Sequence, residues 1–424
     1  MHLICEKSAL RGAVTIPGSK SHTIRAVAVA ALAEGESLIR RPLESRDAEA
    51  CLAAYRAFGA ELELTPELWR VQGLHGELCA PENVIDVGNS GTSLRIAMGS
   101  AALLRSGLAV LTGDQQIRQR PGGPLADALT QLGAQVRSTH GNGCAPFVVE
   151  GRLRGGQIAI EAVTSQYLSS LLLAAPLADG STEIEVTLLN EAPYVAMTLD
   201  WLERTGIVLE HDGLRWFHIP GGQQYTAFDR LIPGDFSSAT FFLAAGALEG
   251  NDIVSRGLDL ADVQGDKAVL DYLRAMGAEV TEEADGIRVR AKALKGVELD
   301  LNATPDALPM MAVLGCFAQG TTRLRNVAQA RLKETDRIAV MRQELTRLGA
   351  QVEELDDGLV IHQSRLHGGD VDGQDDHRVV MALAVGATGI AEPVRIRGYE
   401  AVSVTYPGFA EELRRLGGTA RLAE

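Results

Sequence analysis

Leu132-Gly133-Ala134-Gln135-Val136 returns almost letter for letter as Leu348-Gly349-Ala350-Gln351-Val352. The phrase also occurs as Phe58-Gly59-Ala60-Glu61-Leu62, Thr205-Gly206-Ile207-Val208-Leu209 and Met276-Gly277-Ala278-Glu279-Val280, and more loosely as Leu416-Gly417-Gly418-Thr419-Ala420. The runs before it carry apolar residues at helical spacing, as in Val269, Leu273 and Met276, and the residues after it alternate. A helix that ends on a left-handed residue favours glycine there, and an alternating run that follows reads as a strand. The six glycines lie 74, 73, 71, 72 and 68 residues apart. A step of about 70 is too long for a solenoid unit and suits a small α/β subdomain. Six units, grouped three and three, predict an α/β protein of two similar domains with a cleft between them.

Two Pro-Gly turns mark where the chain would cross between domains, Pro17-Gly18-Ser19 and Arg230-Leu231-Ile232-Pro233-Gly234. The domains are therefore expected over 19–232 and over 1–18 plus 233–424. Neither crossing carries a low-complexity linker, so packed, hinged domains are expected rather than tethered ones.

The chain has 424 residues, 40 Lys and Arg against 55 Asp and Glu, and a formal charge of -15. That balance argues against nucleic acid as a partner, since non-specific binding needs a surplus of phosphate contacts. It leaves room for an anionic small molecule, because a few arginines can invert the local field of a cleft. The five cysteines are scattered, with no C-x-x-C pair, which supports neither a zinc site nor a disulfide framework. No signal peptide is expected at the start, and the longest apolar stretches are too short to span a bilayer. A cytoplasmic, membrane-free protein is expected.

Several stretches place small donors and a cation where a loop enters a helix: Pro17-Gly18-Ser19-Lys20-Ser21-His22-Thr23-Ile24-Arg25, Asp86-Val87-Gly88-Asn89-Ser90-Gly91-Thr92-Ser93-Leu94-Arg95 and Arg118-Gln119-Arg120-Pro121. Thr164-Ser165-Gln166 adds hydroxyl and amide donors before another apolar helix, where an ordinary N-cap is the simpler reading. Free N–H groups at a helix start attract anions. The second half brings acids and bases: Thr304-Pro305-Asp306, Arg331-Leu332-Lys333-Glu334-Thr335-Asp336-Arg337 and Asp375-Asp376-His377-Arg378. For these the plain alternatives are an N-cap at Asp306 and a solvated helix turn with pairs Lys333–Asp336 and Glu334–Arg337. Taken together, the stretches predict an enzyme acting on anionic small molecules, with Lys20, Asp306, Glu334 and His377 left for proton transfer.

In their order along the chain, Pro17-Gly18-Ser19-Lys20-Ser21, Gly88-Asn89-Ser90-Gly91-Thr92, Arg120-Pro121, Ser165-Gln166, Pro305-Asp306, Lys333-Glu334-Thr335-Asp336-Arg337 and Asp376-His377-Arg378 resemble the motifs of the enolpyruvyl transferases, specifically the 5-enolpyruvylshikimate-3-phosphate synthase family. The resemblance implies two domains of three α/β units each, an inside-out barrel type. It implies transfer of the enolpyruvyl group of phosphoenolpyruvate to the 5-hydroxyl of shikimate 3-phosphate, on the route to chorismate and aromatic amino acids, with no cofactor or metal. It also implies a monomer.

By the same resemblance, Lys20, Gly91, Arg120, Gln166, Arg337 and Arg378 would hold phosphoenolpyruvate. Shikimate 3-phosphate would meet Lys20, Ser21, Arg25, Thr164, Ser165, Gln166, Tyr194, Asp306, Gln329 and Lys333. Asp306 would be the base on the attacking oxygen, Glu334 and Lys20 the candidates for protonating C3, and His377 a support on the phosphate-leaving side. The first domain would mainly hold the acceptor, and the second the acid/base groups and phosphoenolpyruvate.

The chain departs from the family pattern at three positions. Val404 stands where a lysine precedes the final Ser/Thr-aromatic-Pro, Glu191 where a serine touches the acceptor phosphate, and Gln329 where an asparagine is usual. Glu191 and Val404 keep open a second reading, an enolpyruvyl transferase for another, non-phosphorylated alcohol. The sister activity on UDP-N-acetylglucosamine would call for a cysteine between Asp114 and Arg120, and none is there.

Overall fold

A computed structural model describes all 424 residues, Met1–Glu424. It contains twelve α-helices: α1 Lys20–Leu32, α2 Arg46–Ala57, α3 Gly91–Ala101, α4 Gly123–Gln131, α5 Ser165–Ala174, α6 Ala192–Arg204, α7 Phe236–Ala247, α8 Val269–Met276, α9 Leu308–Phe317, α10 Arg337–Arg347, α11 His377–Ala387 and α12 Phe409–Arg415. Two helices go with each of six four-stranded sheets. No helix is long and apolar enough to cross a membrane.

Every sheet has the same plan. One edge pair is parallel, and the other two pairings are antiparallel. In one copy Gly156–Ala162 runs parallel to Thr182–Leu189, which pairs antiparallel with Trp216–Ile219 and through it with Glu210–Asp212. The parallel pair needs a crossover, and in the four sheets whose parallel strands are neighbours in sequence the first helix of the repeat supplies it, here α5.

The chain divides into two compact units, Gly18–Ile232 and Met1–Pro17 with Pro233–Glu424. Each holds three sheets. The edge strands near the crossings come from distant sequence: Asp229–Leu231 lies parallel to Glu36–Arg40, and Arg11–Thr15 parallel to Asp252–Arg256.

All six phrase glycines have positive φ: 104° at Gly59, 111° at Gly133, 85° at Gly206, 99° at Gly277, 91° at Gly349 and 98° at Gly417. The repeat legible in sequence is therefore a repeated helix exit. One copy differs from expectation: after Gly206 the strand begins only at Glu210. The Gln223 side chain donates to the Val208 carbonyl at 2.9 Å and accepts from its amide at 2.8 Å, taking the backbone groups a strand partner would use.

The first helix of each repeat forms the core. In α7 and α11 every residue is buried, and in α9 all but the last, Phe317. In the other unit the only residues not fully buried are Lys20 and Ser21 of α1, Thr92 of α3 and Gln166 of α5. In 18–232 these helices meet solvent only at their N-terminal turns. Alanine, valine and leucine predominate across all six, with Phe236, Phe241 and Phe242 of α7 the main aromatic contribution.

At Gly277 a Cβ would be strained by the positive φ and would meet the Ala293 carbonyl oxygen at 3.2 Å. Gly277→Ala is expected to destabilise the unit by ~1–2 kcal/mol, read as a lower melting temperature. An unchanged melting temperature would remove the left-handed exit as the reason for the repeat.

Candidate active site

In the unit formed by Gly18–Ile232, three buried helices bring their starts together. The starts of α3 and α5 adjoin at Gly91 and Gln166, and further along Gly99 packs on Ser170 and Ala174, so the two run parallel. α1 joins them through Arg25, whose Nη2 donates to Ser169 Oγ at 3.2 Å. Their N-terminal amides need acceptors, and side chains of Ser19, Ser90 and Thr164 provide one each, to His22, Ser93 and Gln166.

Around these starts the structure gathers one group of expected residues. Lys20 Nζ lies 3.0 Å from Asp47 Oδ2, both largely buried. Arg25 donates to Thr198 Oγ1 at 2.9 Å and to the carbonyls of Tyr194 and Ser21 at 3.0 and 3.1 Å. Burial, partly offset by Tyr194, pushes its guanidinium down to about 10. It stays charged at neutral pH, fixed by uncharged acceptors.

At the start of α3 no side chain fits. A Cβ on Gly91 would stand 2.4 Å from Arg95 Nη1 and 2.7 Å from Arg120 Nη1, with Gln166 Oε1 at 3.6 Å. Arg95 Nη1 donates to Gln166 Oε1 at 3.2 Å, and its Nη2 to the Pro121 carbonyl at 2.9 Å. Burial lowers the Arg95 pKa, and the neighbouring Arg120 charge lowers it too. Two guanidinium groups crowded at the start of a helix are an arrangement that suits an anion. Arg95 is the cation of its loop-to-helix stretch but lies outside the set of residues that the family resemblance implies. Its place four residues after Gly91, on the same helix face, was the available signal.

Thr164 is the N-cap of α5, as the simpler reading had it, and it does more. Glu191 Oε2 accepts from Ser165 Oγ at 2.8 Å, from Ser165 N at 3.2 Å and from Thr164 Oγ1 at 3.2 Å. Glu191 is buried and holds φ 58°, a left-handed conformation just before α6.

In the other unit the starts of α7, α9 and α11 meet in the same way. Arg378 Nη1 donates to the Ser237 carbonyl at 3.4 Å, and its Nη2 lies 2.9 Å from Asp306 Oδ2. Asp306 sits in the 3-10 turn Pro305–Ala307 that leads into α9. The N-cap reading of Asp306 is corrected: its carboxylate binds arginines instead.

The hub is Arg337, 1% exposed at the first position of α10. Its Nη1 lies 2.6 Å from Asp306 Oδ1 and its Nη2 2.6 Å from Glu334 Oε2. Nε and Nη2 donate to the two oxygens of Asp376 at 2.7 and 3.2 Å. Asp376 also caps α11, accepting from Arg378 N at 2.9 Å. Of the two expected pairs, Glu334–Arg337 forms. Lys333–Asp336 does not: Asp336 pairs with Arg331 at 2.7 Å and caps α10 through Ala339 N.

Burial alone would raise the Asp306 carboxyl, but Arg378, then Arg337 and Lys333, hold it well below the usual carboxylate range against the opposing Glu334. Burial works against the Arg337 charge, yet Asp376, Glu334 and Asp306 keep its pKa well above the ordinary value. His377 is buried at the start of α11, Nδ1 4.0 Å from Asp376 Oδ1. Gln329 donates to the Asn302 carbonyl at 3.0 Å. Val404 is buried at the end of the 3-10 segment Tyr399–Val404 and supplies no cation. No cluster of three or more His, Cys, Asp or Glu side chains is gathered as a metal ion would need.

A carboxyl held below its unfolded pKa of about 3.9 adds stability above that pH, lost as pH falls toward the folded value. Asp306→Asn should therefore cost ~3 kcal/mol at pH 7, and the gap to the parent should narrow below about pH 4. Denaturant unfolding from pH 7 to pH 2 measures this, and a gap independent of pH would contradict it.

The EPSP synthase (3-phosphoshikimate 1-carboxyvinyltransferase) family profile matches residues 4–413. The 3-phosphoshikimate 1-carboxyvinyltransferase of Ruminiclostridium cellulolyticum is 52% identical over 422 residues, covering 100% of both chains. That of Methanothrix thermoacetophila is 47% identical, covering 98% of each. Among solved structures, EPSP synthase from Acinetobacter baumannii aligns with a TM-score of 0.85 at 28% identity over 100% of both chains. The enolpyruvyl transferase NikO from Streptomyces tendae, at 21% identity, 99% and 98% coverage and TM-score 0.78, shares the fold. Since the profile spans both units and relatives match from end to end at about half of all positions, the chain belongs to the EPSP synthase family.

Proposed function

We infer that the chain transfers the 1-carboxyvinyl group of phosphoenolpyruvate to the 5-hydroxyl of shikimate 3-phosphate, releasing phosphate. The observation that carries the chemistry is the placing of two carboxylates, Asp306 and Glu334, on the single guanidinium of Arg337. The reaction needs a base at the attacking oxygen and an acid at C3, and paired carboxylates with different surroundings divide such roles.

Phosphoenolpyruvate is taken by Lys20, Arg120, Arg337 and Arg378, with Gly91 lending its amide end and Gln166 its side chain; Arg95 joins this set. Guanidinium forks match carboxylate and phosphate oxygens two bonds at a time, so lysine at these places would not substitute. Ser21 and Arg25 grip the acceptor carboxylate. Thr164, Ser165 and Lys333 face its 3-phosphate, with Gln166, Tyr194 and Gln329 lining the acceptor. The acceptor set thus lies mostly in 18–232 and the acid/base set mostly in 233–424.

In the first step the 5-oxygen bonds to C2 of phosphoenolpyruvate, Asp306 removes the hydroxyl proton, and Glu334 or Lys20 delivers a proton to C3. The tetrahedral adduct then loses its C3 proton and breaks the C2–O bond to phosphate, with His377 on the leaving side. An enol ether and inorganic phosphate result.

Asp306 in the ligand-free chain is a counter-ion and a poor base. The carboxylate of phosphoenolpyruvate competes for Arg337 and Arg378. Each N–H it takes from Asp306 makes that carboxylate more basic. Substrate binding thereby switches on the base.

The test is an acceptor panel: phosphoenolpyruvate with shikimate 3-phosphate, shikimate and unrelated alcohols, each product weighed by mass spectrometry. An added enolpyruvyl group on shikimate 3-phosphate, with phosphate released in equal amount, is expected. Preferred turnover of a non-phosphorylated alcohol would replace this reading by the second one.

A further inference from the structure

Glu191 sits in the acceptor end of the site, and its contacts give it a specific role. One oxygen, Oε2, takes the Ser165 amide, the Ser165 hydroxyl and the Thr164 hydroxyl at 3.2, 2.8 and 3.2 Å. These donors stand at the N-terminus of α5, the end of the helix that favours negative charge. The carboxylate reaches them from a left-handed backbone position with φ 58°, a conformation that costs any residue with a Cβ. It is 2% exposed. The chain thus holds an anion of its own where the donors could serve an anionic ligand.

Each of these hydroxyls has one proton, and each amide one. A donor engaged by Glu191 is not available to a phosphate oxygen. A phosphate brought beside a buried carboxylate is also repelled by it. We propose that Glu191 is a specificity-determining residue that competes with the 3-phosphate of the acceptor, occupying its subsite until the phosphate displaces it. This rests on the reading that the 3-phosphate sits at Thr164 and Ser165. The competition weakens binding of a phosphorylated acceptor and leaves a non-phosphorylated one untouched, so it narrows the difference between them.

The test uses the full chain and three variants, Glu191→Ser, Glu191→Gln and Ser165→Ala. Binding of shikimate 3-phosphate and of shikimate is measured by calorimetry, and KM and kcat with phosphoenolpyruvate saturating. Glu191→Ser, which frees the donors, should bind shikimate 3-phosphate about tenfold more tightly, the scale of one charge-assisted hydrogen bond released, and Glu191→Gln, which still accepts those bonds but carries no charge, by a smaller factor of about three, with the gain appearing in KM. Binding of shikimate should not improve, and Ser165→Ala should weaken the phosphate ester. If Ser165→Ala weakens it while neither Glu191 variant tightens it, the competition is refuted and the subsite reading stands. If Ser165→Ala leaves the phosphate ester unaffected, the subsite reading itself fails and the proposal with it. Glutamine keeps the size and reach of the side chain, so a folding defect confined to Glu191→Ser does not blur the result.

Discussion

Six helices with almost no exposed surface impose the constraint from which the rest follows. A helix buried along its length still carries unsatisfied N–H groups at its start, and these need acceptors. Serine, threonine and aspartate side chains meet part of that need, at Ser19, Ser90, Thr164 and Asp376. The three central helices of each unit also bring their starts together, so donors and positive dipole ends accumulate in one place. In 18–232 the partly exposed residues of those helices, Lys20, Ser21, Thr92 and Gln166, are all at these starts. The architecture that stabilises the core also leaves an anion-seeking surface at one end of it.

The two units meet this accumulation of positive potential differently. In 18–232 the arginines at the helix starts are held by neutral acceptors, as Arg25 is, or crowd each other, as Arg95 and Arg120 do beside Gly91. In the other unit the compensation is by charge: Arg337 carries Asp306, Glu334 and Asp376. A buried guanidinium with three carboxylates is stable only while all partners are present. On the proposed function, an incoming anion that takes donors from these acids would raise their basicity.

Much of the fold was legible because it rests on local rules. A glycine at each helix exit and a near-constant step made the six units visible, and positive φ at Gly59, Gly133, Gly206, Gly277, Gly349 and Gly417 is the physical cause. Lys20, Gly91 and Gln166 were legible as candidates because their motifs fall at helix starts. Partners far apart in sequence were not. Lys20 with Asp47, Arg337 with Asp306 and Asp376, and Glu191 with Ser165 depend on how repeats pack, which spacing does not encode. Where local charge spacing was followed, it named Glu334–Arg337 correctly. It missed Asp336, which turned to Arg331 and to the start of α10. Glu191 stood out in sequence only as a departure; the donors it takes gave that departure a meaning.

On the proposed function, substrate releases Asp306 from its arginines and makes it a base. The dependence of rate on pH tests it directly, because kcat/KM reports ionisations of the free enzyme and kcat those of the complex. With Asp306 held far below the ordinary carboxylate range in the free chain and released in the complex, the acid limb of kcat should lie at higher pH than that of kcat/KM. Substituting Asp306 by asparagine should abolish the limb in kcat along with most of the rate. Coincident acid limbs in kcat and kcat/KM, or a limb that survives in the asparagine variant, would contradict the account.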